Sequence, residues 1–137
     1  MALSVPTIFD TMVRQFTTSA SSVRFNSDFV DAFNLVLDDL WATGALDAKI
    51  AHIASQEETV SGLEDDRHRS IVFDGLRYHL AVLGQKHANM DIVTLTTNWE
   101  KAQSKFVEME QRAWQEDSVD SDGDPENDVI GLGRTKQ

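Results

Sequence analysis

Between Ile92 and Ala113, the residues Ile92, Leu95, Trp99, Ala102, Phe106, Met109 and Ala113 recur at alternating steps of three and four. That spacing keeps them on one side of a helix. Earlier in the chain Val5, Ile8, Phe9, Met12, Val13 and Phe16 follow the same rhythm, with Ser4 in the N-cap position and Pro6 tolerable in the first turn. The run Thr17-Thr-Ser-Ala-Ser-Ser22 is rich in small hydroxyl residues that compete for backbone hydrogen bonds, and it predicts a loop. A second helix is expected from a Ser27 N-cap, with Asp28 and Asp31 near the positive end of its dipole. Phe29, Val30, Phe33, Val36, Leu37, Leu40 and Trp41 form its apolar face, and Gly44 ends it. Leu46, Ile50 and Ile53 predict a short helix, and the polar stretch from Ser55 to Gly62 a loop. Asp65 and Asp66 open a third long helix whose Ile71, Val72, Leu76, His79, Leu80 and Leu83 share a face up to Gly84. Only Gln85 to Met90 separate it from the last helix, so the two are expected to run antiparallel, with Asp91 capping the second.

The pattern predicts an all-α fold, a bundle of four to five helices. The seam from Ile92 to Ala113 reads as the core side of a bundle helix. As an intermolecular coiled coil it would be weak, because two of its positions are alanine. With 137 residues, 41% of them hydrophobic, the chain suits one domain plus a tail: a helical body over 1–115 and an acidic, extended C-terminal arm over 116–137.

Charge narrows the function classes. The net charge of −11 is shared between an arm with seven acids against two bases and a body with sixteen against ten. A sequence-reading DNA or RNA binder needs a basic face that displaces counterions from phosphates, and neither part supplies one. An acidic wall can still serve beside DNA by repelling it and letting it slide. Cysteine is absent, which removes disulfides and thiolate metal sites, and synthesis in the cytosol is expected. The segment Met1-Ala-Leu-Ser-Val-Pro-Thr-Ile-Phe-Asp10 has no basic flank and no continuous apolar run, so neither a signal peptide nor a membrane span is expected.

Candidate chemistry is sparse. His52, His68, His79 and His87 show no pair three or four residues apart that would let two imidazoles share an ion, so no metal is expected. His79 lies on an apolar face and reads as a satisfied, partly buried residue, whereas His68, between Arg67 and Arg69, reads as surface. The run Asp120-Ser-Asp-Gly-Asp-Pro-Glu126 has the alternating carboxylates of a calcium loop but not its register: counting from Asp120, the sixth position is Pro125 and the twelfth Gly131. There is no Gly-x-Ser-x-Gly elbow. Gly-Leu-Gly-Arg-Thr-Lys136 lacks the spacing of a phosphate loop. Asp38 and Asp39, adjacent on a helix, point apart. No enzyme and no cofactor are expected.

The arm carries the remaining signal. With Gly123, Pro125, Gly131, Gly133 and seven acids it is expected to form neither a helix nor a core of its own, and fully extended its 22 residues would reach about 70 Å at ~3.3 Å each. Beyond the acids stand Val129, Ile130 and Leu132, followed by Arg134 and Lys136. Such a patch can add a strand to an open sheet edge or fill a groove, which makes these five residues the candidate partner-docking element.

The stretch Phe25-Asn-Ser-Asp-Phe-Val-Asp-Ala-Phe-Asn-Leu-Val-Leu-Asp-Asp-Leu-Trp41, followed by Tyr78-His-Leu-Ala-Val-Leu-Gly-Gln85, resembles the small head-to-tail connector (adaptor) proteins of tailed bacteriophages. The similarity is one of pattern over roughly residues 25–115. It implies a helical bundle that assembles as a homo-oligomeric ring, commonly of twelve copies, at the head–tail interface of the virion. It further implies portal and tail or stopper proteins as partners, a C-terminal arm docked into the portal, and an acidic lumen through which DNA passes. Cutting the chain after Glu116 is expected to leave a folded body that fails to join the portal. A different class fits the residues too: a soluble helical regulatory or binding module that holds a partner helix in a groove between its own helices.

Overall fold

The computed structural model describes the backbone of residues 2–122 and the side chains of residues 2–112. The elements run β1 (Ala2–Ser4), α1 (Val5–Gln15), α2 (Val23–Ala42), β2 (Thr59–Glu64), α3 (Asp65–Val82) and α4 (Ile92–Asp122). One compact unit covers Met1–Val107, and a second begins at Glu108 within α4. The fold is mostly helical, as the periodicity predicts, but it is not all-α, because β1 and β2 pair antiparallel in a two-stranded sheet.

Each helix of the first unit buries the stripe its sequence specifies. Helix α1 buries Val5, Ile8, Phe9 and Met12, with Pro6 in its first turn. Ser4 is its N-cap by position, although its side chain makes no cap hydrogen bond. Helix α2 buries Phe25, Phe29, Ala32, Phe33, Val36, Leu37 and Leu40. Its Phe29 meets Phe9 edge-on at 5.0 Å between centroids, while Phe25 lies between Phe9 and Phe16 at 5.9 and 6.2 Å. This aromatic cluster joins α1 to α2. Trp41, counted with the apolar face, is 39% exposed.

Helix α2 starts a turn earlier than the Ser27 cap predicts. Ser22 is the N-cap, and its Oγ accepts from the Phe25 N–H at 3.2 Å, so the serine-rich loop ends in a cap. At the other end Gly44 takes φ +79°, a left-handed conformation that stops the helix as expected.

Residues 45–58 hold no helix, which corrects the short helix expected there. The reason lies in α2. Asn34 grips the Ile53 backbone at both ends, its Nδ2 donating to the carbonyl at 3.1 Å and its Oδ1 accepting from the N–H at 2.8 Å. Asp38 accepts from His52 Nε2 at 2.8 Å, and Asn26 Oδ1 accepts from Gln56 Nε2 at 2.6 Å. Glu58 Oε2 accepts from the N–H groups of Ala54 and Ser55, closing the turn into β2. Backbone groups that an isolated helix would pair internally are paired elsewhere.

The expected loop over Ser55–Gly62 instead becomes β2 from Thr59 on. Leu3 pairs with Val60 and Ser4 with Thr59, but Ala2 pairs with Glu64, so Ser61, Gly62 and Leu63 bulge out of register. The bulge lets Val60 and Leu63 both point inward. Gly62 sits in it at φ +98°.

Helix α3 opens with Asp65 and Asp66 and buries His68, Ile71, Val72, Gly75, Leu76, His79 and Leu80, ending where Gly84 turns at φ +103°. Asp91 caps α4, its Oδ1 accepting from the Thr94 N–H at 2.9 Å. Exposed Asp91 is held below the usual carboxylate range by that bond to Thr94. In α4, Leu95, Trp99, Ala102 and Phe106 are buried, whereas Ile92 is 46% exposed. His68 meets Phe106 and His79 meets Trp99, so rising numbers in α3 face falling numbers in α4. The two helices are antiparallel, as their short connection predicts. Helix α4 continues to Asp122, which corrects the extended, non-helical arm expected from residue 116: the first seven residues of that segment continue the helix, and Gly123 and Pro125, the helix-breaking residues, come only after it.

Candidate functional site

Polar side chains of the body bond across its own elements. One cluster joins three helices. Asp39 of α2 accepts on one oxygen, Oδ2, from His79 Nε2 of α3 at 2.7 Å and from Trp99 Nε1 of α4 at 3.2 Å. A carboxylate can only accept, which fixes the His79 proton on Nε2. His79 is thus the satisfied, mostly buried residue the sequence predicts. Beside it Gly75 lets the helices close up: a Cβ there would lie 2.7 Å from Val36 Cγ2 and 2.8 Å from Trp99 Cη2.

The other histidines are also tied to their own chain. His52 is exposed and bonded to Asp38. His68 is 2% exposed, not the surface residue its arginine neighbours suggest; its Nδ1 accepts from the Glu64 N–H at 2.8 Å, fixing the entry to α3. His87 is buried between α3 and α4, where its Nδ1 accepts from the N–H groups of Asn89 and Met90 and its ring meets Phe16 edge-on at 5.1 Å. Burial, then the nearby Arg77 guanidinium, lowers its pKa below the ordinary 6.5. With Nδ1 accepting, the proton sits on Nε2, which has no partner among the described residues. Among those residues no group of three His, Asp or Glu converges as a metal ion would require.

The described body also carries two hollows. The first lies beside β2, which among the described residues pairs with β1 alone. A cleft of about 420 Å³ runs along it, lined by Ala48–Ile53 and by Glu58–Gly62. No residue of β1 lines this cleft. The bulge explains part of its shape: Gly62 brings no side chain over the cleft, and a Cβ there would come within 3.3 Å of Ile50 Cγ1. A second hollow, about 520 Å³, lies at the turn between α3 and α4 and is lined in part by His87, Met90, Ile92 and Leu95. Val82, Ile92 and Val93 are exposed around that turn.

The predicted docking residues Val129, Ile130, Leu132, Arg134 and Lys136 lie outside the described residues. Sequence reasoning missed β2 and the cleft beside it; the local signal was Thr59-Val60, a β-branched pair before the bulge. Among the described residues no helix is long and apolar enough to cross a membrane. No family model, curated protein or solved structure matches the chain.

Proposed function

We propose that the chain is a structural connector of a tailed bacteriophage, a helical bundle with an extended C-terminal arm that forms a ring between portal and tail. The arm docks on the portal through Val129, Ile130, Leu132, Arg134 and Lys136. The mechanism is assembly rather than catalysis. Neighbouring copies close the ring, and the arm gives up its conformational freedom only on binding. The excess of acids lets DNA pass the lumen without sticking.

One observation carries this reading: a body whose four histidines bond within their own chain is joined to an acidic segment that places a short apolar patch and two bases near its end. The resemblance of Phe25–Trp41 and Tyr78–Gln85 to connector proteins adds the identity of the assembly. Electron microscopy of the full chain mixed with portal rings tests it: a collar of added density on the portal is expected, and portal rings left bare would refute it.

The second reading, a helical module that holds a partner helix, draws on exposed Val82, Ile92 and Val93 near the 520 Å³ hollow. It predicts a monomer or dimer that ignores portal rings.

A further inference from the structure

We propose that the connection between α3 and α4 is an acid-released latch: a neutral His87 ring holds it closed against α1, and protonation of that ring frees it while the rest of the body stays folded. The inference stands apart from the connector reading and holds for any function of the chain.

The latch is made of hydrogen bonds that only a neutral ring can accept. His87 Nδ1 accepts from the Asn89 N–H at 3.0 Å and from the Met90 N–H at 3.2 Å. Both donors are backbone groups, so a proton on Nδ1 would set a third N–H against them, and both bonds would be lost. Neighbouring bonds depend on the same placement. The Ala88 N–H donates to the Gln15 carbonyl at 3.0 Å, and Gln15 Oε1 accepts from Arg77 Nε at 2.8 Å, which ties the connection to the end of α1 and to α3. The ring packs edge-on against Phe16, 5.1 Å between centroids.

The surrounding charges give a second proton no partner. Arg77 of α3, itself paired with Asp74 at 3.0 Å, acts on the ring with the same sign as an imidazolium. Helix α1 presents Gln15 and Phe16, which are uncharged. Lys86 and Asp91 on the connection are exposed. At the start of α2, Asp28 accepts from Gln85 Nε2 at 2.8 Å and pairs with Arg24 at 3.6 Å, while α4 brings apolar Leu95 to the hollow. His87 Nε2, which carries the proton of the neutral ring, is buried with no partner among the described residues. Burial and Arg77 therefore both work against the charged form while the latch is closed.

An escape route lies alongside. The hollow of about 520 Å³ is lined by His87 together with Lys86, Asn89, Met90 and Leu95, so a charged ring that turns into it reaches water. Opening then uncovers Phe16 and Leu95, now buried, beside the exposed Val82, Ile92 and Val93, and widens the apolar surface at this end of the body.

The sign follows from the two states of the ring. In the open form His87 titrates at its ordinary 6.5, and in the closed form lower. The opening equilibrium is therefore constant above pH 6.5, rises as the pH falls below it, and levels off beneath the closed value. Between pH 7.5 and pH 5.5 the gain is at most about ten-fold.

Amide hydrogen exchange of the full chain, followed by NMR and corrected for the intrinsic rate at each pH, tests the latch alongside the nitrogen signals of the His87 ring. Protection at Ala88, Asn89 and Met90 is expected to fall about five- to ten-fold between pH 7.5 and pH 5.5, in step with ring protonation and with little response to low urea. Amides at Val36 and Leu40 within α2 are expected to be far better protected and to respond steeply to urea, because they exchange only when the body unfolds. In His87→Gln the fall at Ala88, Asn89 and Met90 should shrink to less than about two-fold. Protection at Asn89 and Met90 that survives protonation of the ring overturns the proposal. So does a loss with the same urea dependence as Val36 and Leu40, since the whole body would then be opening. The ring signals and the urea response come from the unchanged chain, so they decide the matter even if His87→Gln fails to fold.

Discussion

Gly75 and His87 show how single residues set the stability of the body. At an exposed helix position, glycine to alanine stabilises by about 1 kcal/mol. At Gly75 the sign reverses, because the new Cβ would meet Val36 Cγ2 at 2.7 Å and Trp99 Cη2 at 2.8 Å. Trp99 has little room to retreat: it is 3% exposed and its Nε1 is held by Asp39. Gly75→Ala should lower stability by about 1–3 kcal/mol in urea unfolding. His87 contributes a pH dependence. Burial and Arg77 hold its folded-state pKa below 6.5, so from pH 6.5 downward the unfolded chain takes up the proton first. Its contribution is complete above pH 6.5 and is lost as the pH falls through the lower folded value. His87→Gln should therefore show a smaller drop in urea midpoint between pH 7.5 and pH 5.5 than the unchanged chain. Asp74 works in the opposite sense at more acid pH, since burial raises its pKa above 3.8 despite Arg77 and Lys105.

At the scale of elements, the four helices were legible because each buries one face and the period of that face survives in the sequence. The boundary of α2 was legible in part. Both Ser22 and Ser27 are good caps by type, and Ser22 makes the bond. Ser22→Ala should cost about 1 kcal/mol in thermal or urea unfolding, with Ser27→Ala, inside the helix, having little effect. What stayed hidden depends on partners distant in sequence. Leu46, Ile50 and Ile53 have helical spacing, but Asn34, nineteen residues from Ile53, takes the backbone bonds a helix would need. Strand β2 hid itself because its bulge turns in Val60 and Leu63, a step of three that imitates a helix, and β1 has only three residues to announce it. His68 shows the reverse case. Its arginine neighbours suggested surface, yet its position continues the buried series of Ile71, Val72 and Gly75 one turn back. The candidate site divides the same way: the arm patch can be read from composition, whereas the edge that faces the cleft is created by tertiary pairing.

For the molecule as a whole, the proposed division of labour is a body that holds its shape and an arm that makes the attachment. The body's polar groups are largely spent on joining its own elements, as at Asp39, His79 and Trp99. In the proposed connector, contact with other proteins falls to the acidic stretch after Glu116 and the patch at Val129–Leu132. Because α4 runs to Asp122, a cut after that residue removes the patch and leaves the described helix whole. Co-sedimentation with purified portal rings, run on the full chain and on the chain ending at Asp122, tests the attachment most directly, with circular dichroism as the check on folding. The account predicts that both chains are equally helical over residues 1–122 and that only the full chain pellets with the rings. Equal pelleting of the shortened chain, or failure of the full chain to pellet at all, would contradict it.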